Sequence, residues 1–204
     1  MRRRFAIGTL CALALTLPAT AQEKGKGAPE MQMSAEEKAA MEAMMKAMTP
    51  GAQHRHLADS SGEWDFAAKF WTEPGAAPEQ SRGTSRREMT LGGRVMRETV
   101  ESEMMGMPFH GLGLTGYDNV TGRWWSTWTD SMSTGLLVSY GSCNEAMTRC
   151  EFKGAYPDPT TGGMKETRMV SESSPEREVM KSYEAGADGK EVQTMELVFT
   201  RKKG

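Results

Sequence analysis

The 204-residue chain is poor in the residues that most often carry metal or redox chemistry: it has three cysteines and three histidines. With so few, and no carboxylate pattern around the histidines, a zinc centre is not expected. His54 and His56 lie two residues apart, which on a helix turns them about 200° from each other and prevents chelation. The later part of the chain carries no histidine to act as an axial haem ligand. No apolar run approaches the roughly 20 residues needed to cross a bilayer, which argues against a membrane bundle. Basic residues are not in excess either, with 25 Lys and Arg against 27 Asp and Glu, so nucleic acid is not an expected partner. No Gly-x-Ser-x-Gly elbow surrounds a candidate nucleophile, so no catalytic set is assigned and no cofactor is expected.

The first 21 residues have their own logic. Arg2, Arg3 and Arg4 form a positive start, residues 5–17 are apolar, and Pro18 precedes the small-residue site Ala19-Thr20-Ala21. This pattern predicts a cleavable secretory signal, with the mature chain starting at Gln22 and an address in the periplasm or outside the cell. The arginines fit an ordinary signal and also part of a twin-arginine motif. Cleavage would remove three bases and no acid, leaving a mature excess of five acids. It would also remove Cys11 and leave Cys143 and Cys150, an even pair in an oxidising compartment. These two flank a polar hexapeptide between strand-like runs, and a hairpin disulfide is expected.

Residues 22–33 are rich in Lys, Gly, Pro and Gln without periodicity, and read as a disordered leader. Ser34 with Glu37 is a capping box opening a helix whose Met41, Met44, Met45 and Met48 share one face, most simply a packing face. Thr49-Pro50 should end it and start a second helix reaching about Ala58, so the helices occupy 34–58. From residue 59 the domain is all-β. Trp64, Phe66, Ala68 and Phe70 alternate on a first strand, and nine more runs follow at about 80–90, 94–104, 109–117, 123–130, 134–142, 148–156, 165–173, 177–185 and 191–201. Short joints between them imply an antiparallel meander, and about ten strands with no edge to leave open imply a closed barrel covered at one end by the helices.

The short helix followed by Gly62-Glu63-Trp64 resembles the calycin superfamily of lipocalins and fatty-acid-binding barrels. Four longer segments resemble the bacterial family called domain of unknown function 1579: TPGAQHRHLADSSGEWDFAAKFWTEPGA, MMGMPFHGLGLTGYDN, STWTDSMSTG and YEAGADGKEVQTMELVFTRKK. The likeness runs over about residues 35–204. It implies a small β-barrel domain, exported or cytosolic, with no assigned reaction, and its pattern does not include the cysteine pair.

Connections in a meander barrel alternate between its ends, so strand order sorts the loops. The helices share an end with the turns near Leu91, Asp118, the Cys143/Cys150 hairpin and Pro175. The opposite loops form a mouth carrying Trp71, Met105, Met107, Phe109, His110, Asp130 and Ser131, a mixture suited to a small, largely apolar ligand. Inward positions are expected at Trp64, Phe66, Phe70, Met96, Val100, Trp124, Trp128, Leu136, Val138 and Tyr140, and Tyr140 joins the candidate ligand contacts. Glu98 shares a face with Met96 and Val100. It is either an interior carboxylate needing Arg94 or a ligand group, or a solvated group near an end. Two other readings stay open: a solid barrel that captures a protein partner, and a soft-metal site for Cu(I) at Met104, Met105, Met107 and His110. A monomer or weak dimer is expected.

Overall fold

A computed structural model describes residues 33–73, 75–186 and 188–203. The expected signal and nearly all of the leader lie outside the described residues. Two helices, α1 (Ala35–Met48) and α2 (Ala52–Asp59), precede ten strands. In chain order these are β1 (Gly62–Phe70), β2 (Glu79–Thr90), β3 (Val95–Met104), β4 (Met107–Asp118), β5 (Arg123–Asp130), β6 (Leu137–Cys143), β7 (Arg149–Pro157), β8 (Met164–Ser174), β9 (Arg177–Ala185) and β10 (Glu191–Arg201). Each strand pairs antiparallel with the next, and β1 pairs with β10 from Trp64↔Arg201 to Phe70↔Met195, closing the barrel. All ten expected strands are present.

The helices differ from expectation in two respects. Thr49 has extended backbone and its hydroxyl donates to Met45 O, so it terminates α1 and does not start α2. Gly51 is the N-cap of α2, and its N–H donates to His54 Nδ1 at 3.0 Å. The methionine face of α1 does not pack on the barrel: Met41, Met44, Met45 and Met48 are all exposed, and α1 has no buried residue. Polar side chains hold its C-terminal end, where Asn119 Nδ2 donates to Ala47 O and Thr49 O and Arg94 Nη2 donates to Met48 O. These satisfy carbonyls left without partners at a helix end. By contrast, α2 plugs the barrel. Leu57 packs with Met96 and Trp124, and Ser60 O accepts from Trp64 Nε1.

The core has two parts. Trp64, Phe66, Ala68, Val100, Phe109 and Phe199 fill the side of the barrel formed by β1, β3, β4 and β10. Leu57, Met96 and Trp124 seal the helix end with help from Met89, Tyr117, Met147 and Phe152. Glycine makes room for aromatic rings on the wall. A Cβ on Gly83 would collide with Phe66, and one on Gly141 with Phe152 and with the Glu151 carbonyl.

One strand has the opposite phase to that expected. Leu137, Ser139 and Gly141 of β6 face inward, and Leu136, Val138 and Tyr140 face out, each more than a third exposed. Ser139 has no exposed surface, and its hydroxyl lies 2.9 Å from that of Ser126 on β5. Gly141 makes room for Phe152. Both neighbours demand this phase, although it leaves the more apolar set outside.

Cys143 and Cys150 pair across β6 and β7 and form the expected disulfide. Its eight-residue ring limits the entropic contribution to about 2.5 kcal/mol. The Cys143→Ser/Cys150→Ser double variant is expected to lose no more than about that amount in urea unfolding and to keep its β-sheet circular dichroism. Gly141→Ala should cost about 1–3 kcal/mol through the collision with Phe152 and Glu151, read as a lower thermal midpoint.

Candidate functional site

The interior is filled where Trp64, Phe66, Val100, Phe109 and Phe199 meet, and the inner positions of β6–β9 carry less apolar bulk. Strand register places Leu137, Phe152, Met169, Met180 and Leu197 on the inner face. All five remain only half-buried, so water-accessible space lies beside apolar side chains within the wall. Polar groups share this face. Ser126 and Ser139 bond each other, and Glu178, Met180, Ser182 and Glu184 follow one another at inward positions along β9.

At the helix end of this space lies a charged cluster. Arg87, 5% exposed, sits between the rings of Trp64 and Phe199, with Cζ 5.0 and 4.6 Å from their centroids. Arg87 Nε donates to Glu98 Oε1 at 2.9 Å and Nη1 donates to Glu178 Oε2 at 2.5 Å. Ser85 Oγ also donates to Glu98 Oε1, at 2.6 Å. Burial works against the charge of Arg87, but the two carboxylates and their hydrogen bonds more than offset it and hold the pKa above the ordinary arginine value. Glu98 is therefore an interior carboxylate, and its partner is Arg87 rather than Arg94, which is engaged by the carbonyls of Met48, Leu91 and Gly92. Arg201 also lies over the Trp64 ring, 4.4 Å from its centroid, and donates to the carbonyls of Asp59, Ser61 and Pro175, tying α2, β1 and the β8–β9 turn together.

A second polar group lies toward the mouth. Lys165 Nζ pairs with Glu184 Oε2 at 2.7 Å and the Tyr156 hydroxyl donates to Glu184 Oε1 at 2.9 Å. Burial and the neighbouring carboxylate raise the phenol's pKa above its ordinary value.

The expected mouth residues are divided among three environments. Phe109 is buried in the core, and Met107 stands beside it on the inner register, opposite Met104. Asp130 lies opposite Gly111 on the inner register, and its carboxylate accepts from Trp128 Nε1 and Met132 N. Met105 is exposed at the tip of the β3–β4 turn, and Trp71 is held at the end of β1 by its N–H to Thr194 O. Ser131 N–H donates to His110 O and the Ser131 hydroxyl accepts from His110 N, but the His110 side chain belongs to the outer face. Tyr140 is also outside, 49% exposed beneath Arg123. The set Met104, Met105, Met107 and His110 does not converge, because Met104 and Met107 are inner, Met105 is at the turn tip and His110 is outer. Among the described residues no three His, Cys, Asp or Glu side chains group to hold a metal ion, and no helix is long and apolar enough to cross a membrane.

Sequence reasoning missed Arg87, Ser85, Glu178 and Ser182. The run Ser81 to Met89 is polar on both alternations, so periodicity carries no phase for it. Only the pairing of Trp64 with Ser85 shows which side faces in.

A closed ten-stranded antiparallel barrel with a helical plug is a calycin-like fold. The chain belongs to the family described as "Protein of unknown function (DUF1579)", which matches residues 49–201. That span starts at the end of α1, so this helix lies outside the match, although the sequence likeness had begun near residue 35. No curated protein matches the chain. The crystal structure of Rv2717c from M. tuberculosis is similar, with a TM-score of 0.56 at 11% identity, covering 76% of this chain and 100% of that one. At this identity the likeness is one of fold.

The buried cluster has a measurable signature. Arg87→Met leaves two carboxylates facing each other inside the barrel and is expected to cost about 3–5 kcal/mol. Replacing Arg87, Glu98 and Glu178 together by apolar residues of similar volume should cost much less, as urea unfolding of the two variants will show.

Proposed function

We propose that this protein is an exported binding protein that holds a small, largely apolar molecule inside its barrel and admits it through the end opposite α2. The observation that carries this reading is the half-buried state of Leu137, Phe152, Met169, Met180 and Leu197, which face inward yet keep water-accessible surface. Leaving such surface hydrated costs about 25 cal/mol per Å², which an apolar ligand would recover. Met107 and Asp130 at the inner rim, with Trp71, Met105 and Ser131 at the margin, would meet the ligand on entry. Export is supported by Arg2, Arg3 and Arg4, the apolar residues 5–17 and Ala19-Thr20-Ala21, and the periplasm is the proposed compartment.

A second reading rests on a separate observation: the four methionines of α1 stand exposed along one face, a form suited to capturing a protein partner.

Native mass spectrometry of the protein purified from its own periplasm tests the first reading. The expected result is a chain starting at Gln22 with an organic adduct that is lost on denaturation. A bare chain that also fails to take up the neutral dye Nile red would overturn the carrier reading and leave partner capture.

A further inference from the structure

We infer that the barrel selects a ligand whose polar end is a cation or hydrogen-bond donor, such as an amine, and rejects carboxylate-headed molecules. The inference rests on the carrier reading and specifies its ligand class. A barrel that holds a carboxylate inside needs an unspent cation or a group of free donors to receive it. None of the cations on the inner register of this barrel is unspent among the described residues. Arg87 is shared by two carboxylates, Lys165 is paired with Glu184, and Arg201 donates to three backbone carbonyls. The other Lys and Arg of the strands alternate to the outer face.

The acceptors are less fully used. Glu98 receives both its hydrogen bonds on Oε1, and Glu178 receives its one on Oε2. This leaves Glu98 Oε2 and Glu178 Oε1 without a partner among the described residues. No buried side-chain oxygen or nitrogen among the described residues lacks a partner, so both free oxygens face water-accessible space. One guanidinium holds both carboxylates, so the cluster keeps one negative charge beside that space. An independent feature of the same wall is Ser182. It is only 6% exposed, faces inward from β9 between Met169 and Met195, and its hydroxyl makes no hydrogen bond among the described residues. Glu178 and Ser182 lie on the same face of β9, about 13 Å apart at strand spacing, with Met180 between them. An elongated apolar molecule with a donor at its head would lie along this line, its head against the free carboxylate oxygens.

Three probes of equal chain length separate the possibilities: octylamine, octanol and octanoate, titrated by calorimetry at pH 7 against the delipidated mature protein, with Nile red uptake measured alongside. The expected order is octylamine over octanol over octanoate, with at least about tenfold between the first and last. Glu178→Gln should remove most of the amine's advantage over octanol and octanoate. Glu98→Gln, which neutralises the other carboxylate of the cluster, serves as the second variant should Glu178→Gln fail to fold, and is expected to reduce the amine's advantage in the same way. Octanoate binding as tightly as octylamine would overturn the inference. So would equal affinity for all three, a result that leaves the carrier reading standing. Failure of every probe, including Nile red, would overturn the carrier reading and this inference with it.

Discussion

The placement of one guanidinium constrains the rest of the structure. Arg87 lies inside the barrel with almost no exposed surface, a position tolerable only because Glu98, Glu178 and two aromatic rings surround it. These partners come from β3, β9, β1 and β10, so the cluster is complete only when the first and last strands have met and the barrel is closed. Trp64 links it to the outside. Its ring meets both Arg87 and Arg201, and the three carbonyl partners of Arg201 bring together the end of α2, the start of β1 and the β8–β9 turn. A single stack therefore joins barrel closure to the helical plug.

The same stack divides the interior. On its β1 side, Phe66, Val100, Phe109 and Phe199 pack into a continuous core. On the β9 side the inner positions are one methionine among polar residues, Glu178, Met180, Ser182 and Glu184. Phe152 packs over Gly141 on the β6–β7 wall. Most of the aromatic bulk of the interior lies on the opposite side. Chemistry at the rim is restrained for a different reason: Asp130 and Ser131 already hold Trp128, Met132 and His110 in place.

Legibility followed the contrast between alternating residues. In β1, Trp64, Phe66, Ala68 and Phe70 alternate with Asp65, Ala67 and Lys69, so inward phase was plain. In β6, Leu136, Val138 and Tyr140 looked like the inner set, but Ser139 is required by Ser126 and Gly141 by Phe152, and the apolar residues went outside. The methionines of α1 have a helix-face pattern that predicts packing, yet α1 is secured through its terminal carbonyls by Asn119 and Arg94, a contact with no sequence periodicity. In β2 both alternations are polar, and Arg87 was indistinguishable from its exposed neighbour Arg86.

Strand number, meander order, the end covered by the helices and the Cys143–Cys150 link all follow from local pattern and short connections, which depend on neighbours within about ten residues. The export signal is an expectation of the same local kind, in residues the structure does not describe. What tertiary structure decided was the interior: which of Arg86 and Arg87 is buried, that Glu98 answers Arg87 and not Arg94, and that Glu178, ninety-one residues from Arg87, completes the pair. Those contacts arise from cross-strand register around a closed ring, and register depends on every strand at once, so no local window of the sequence contains it.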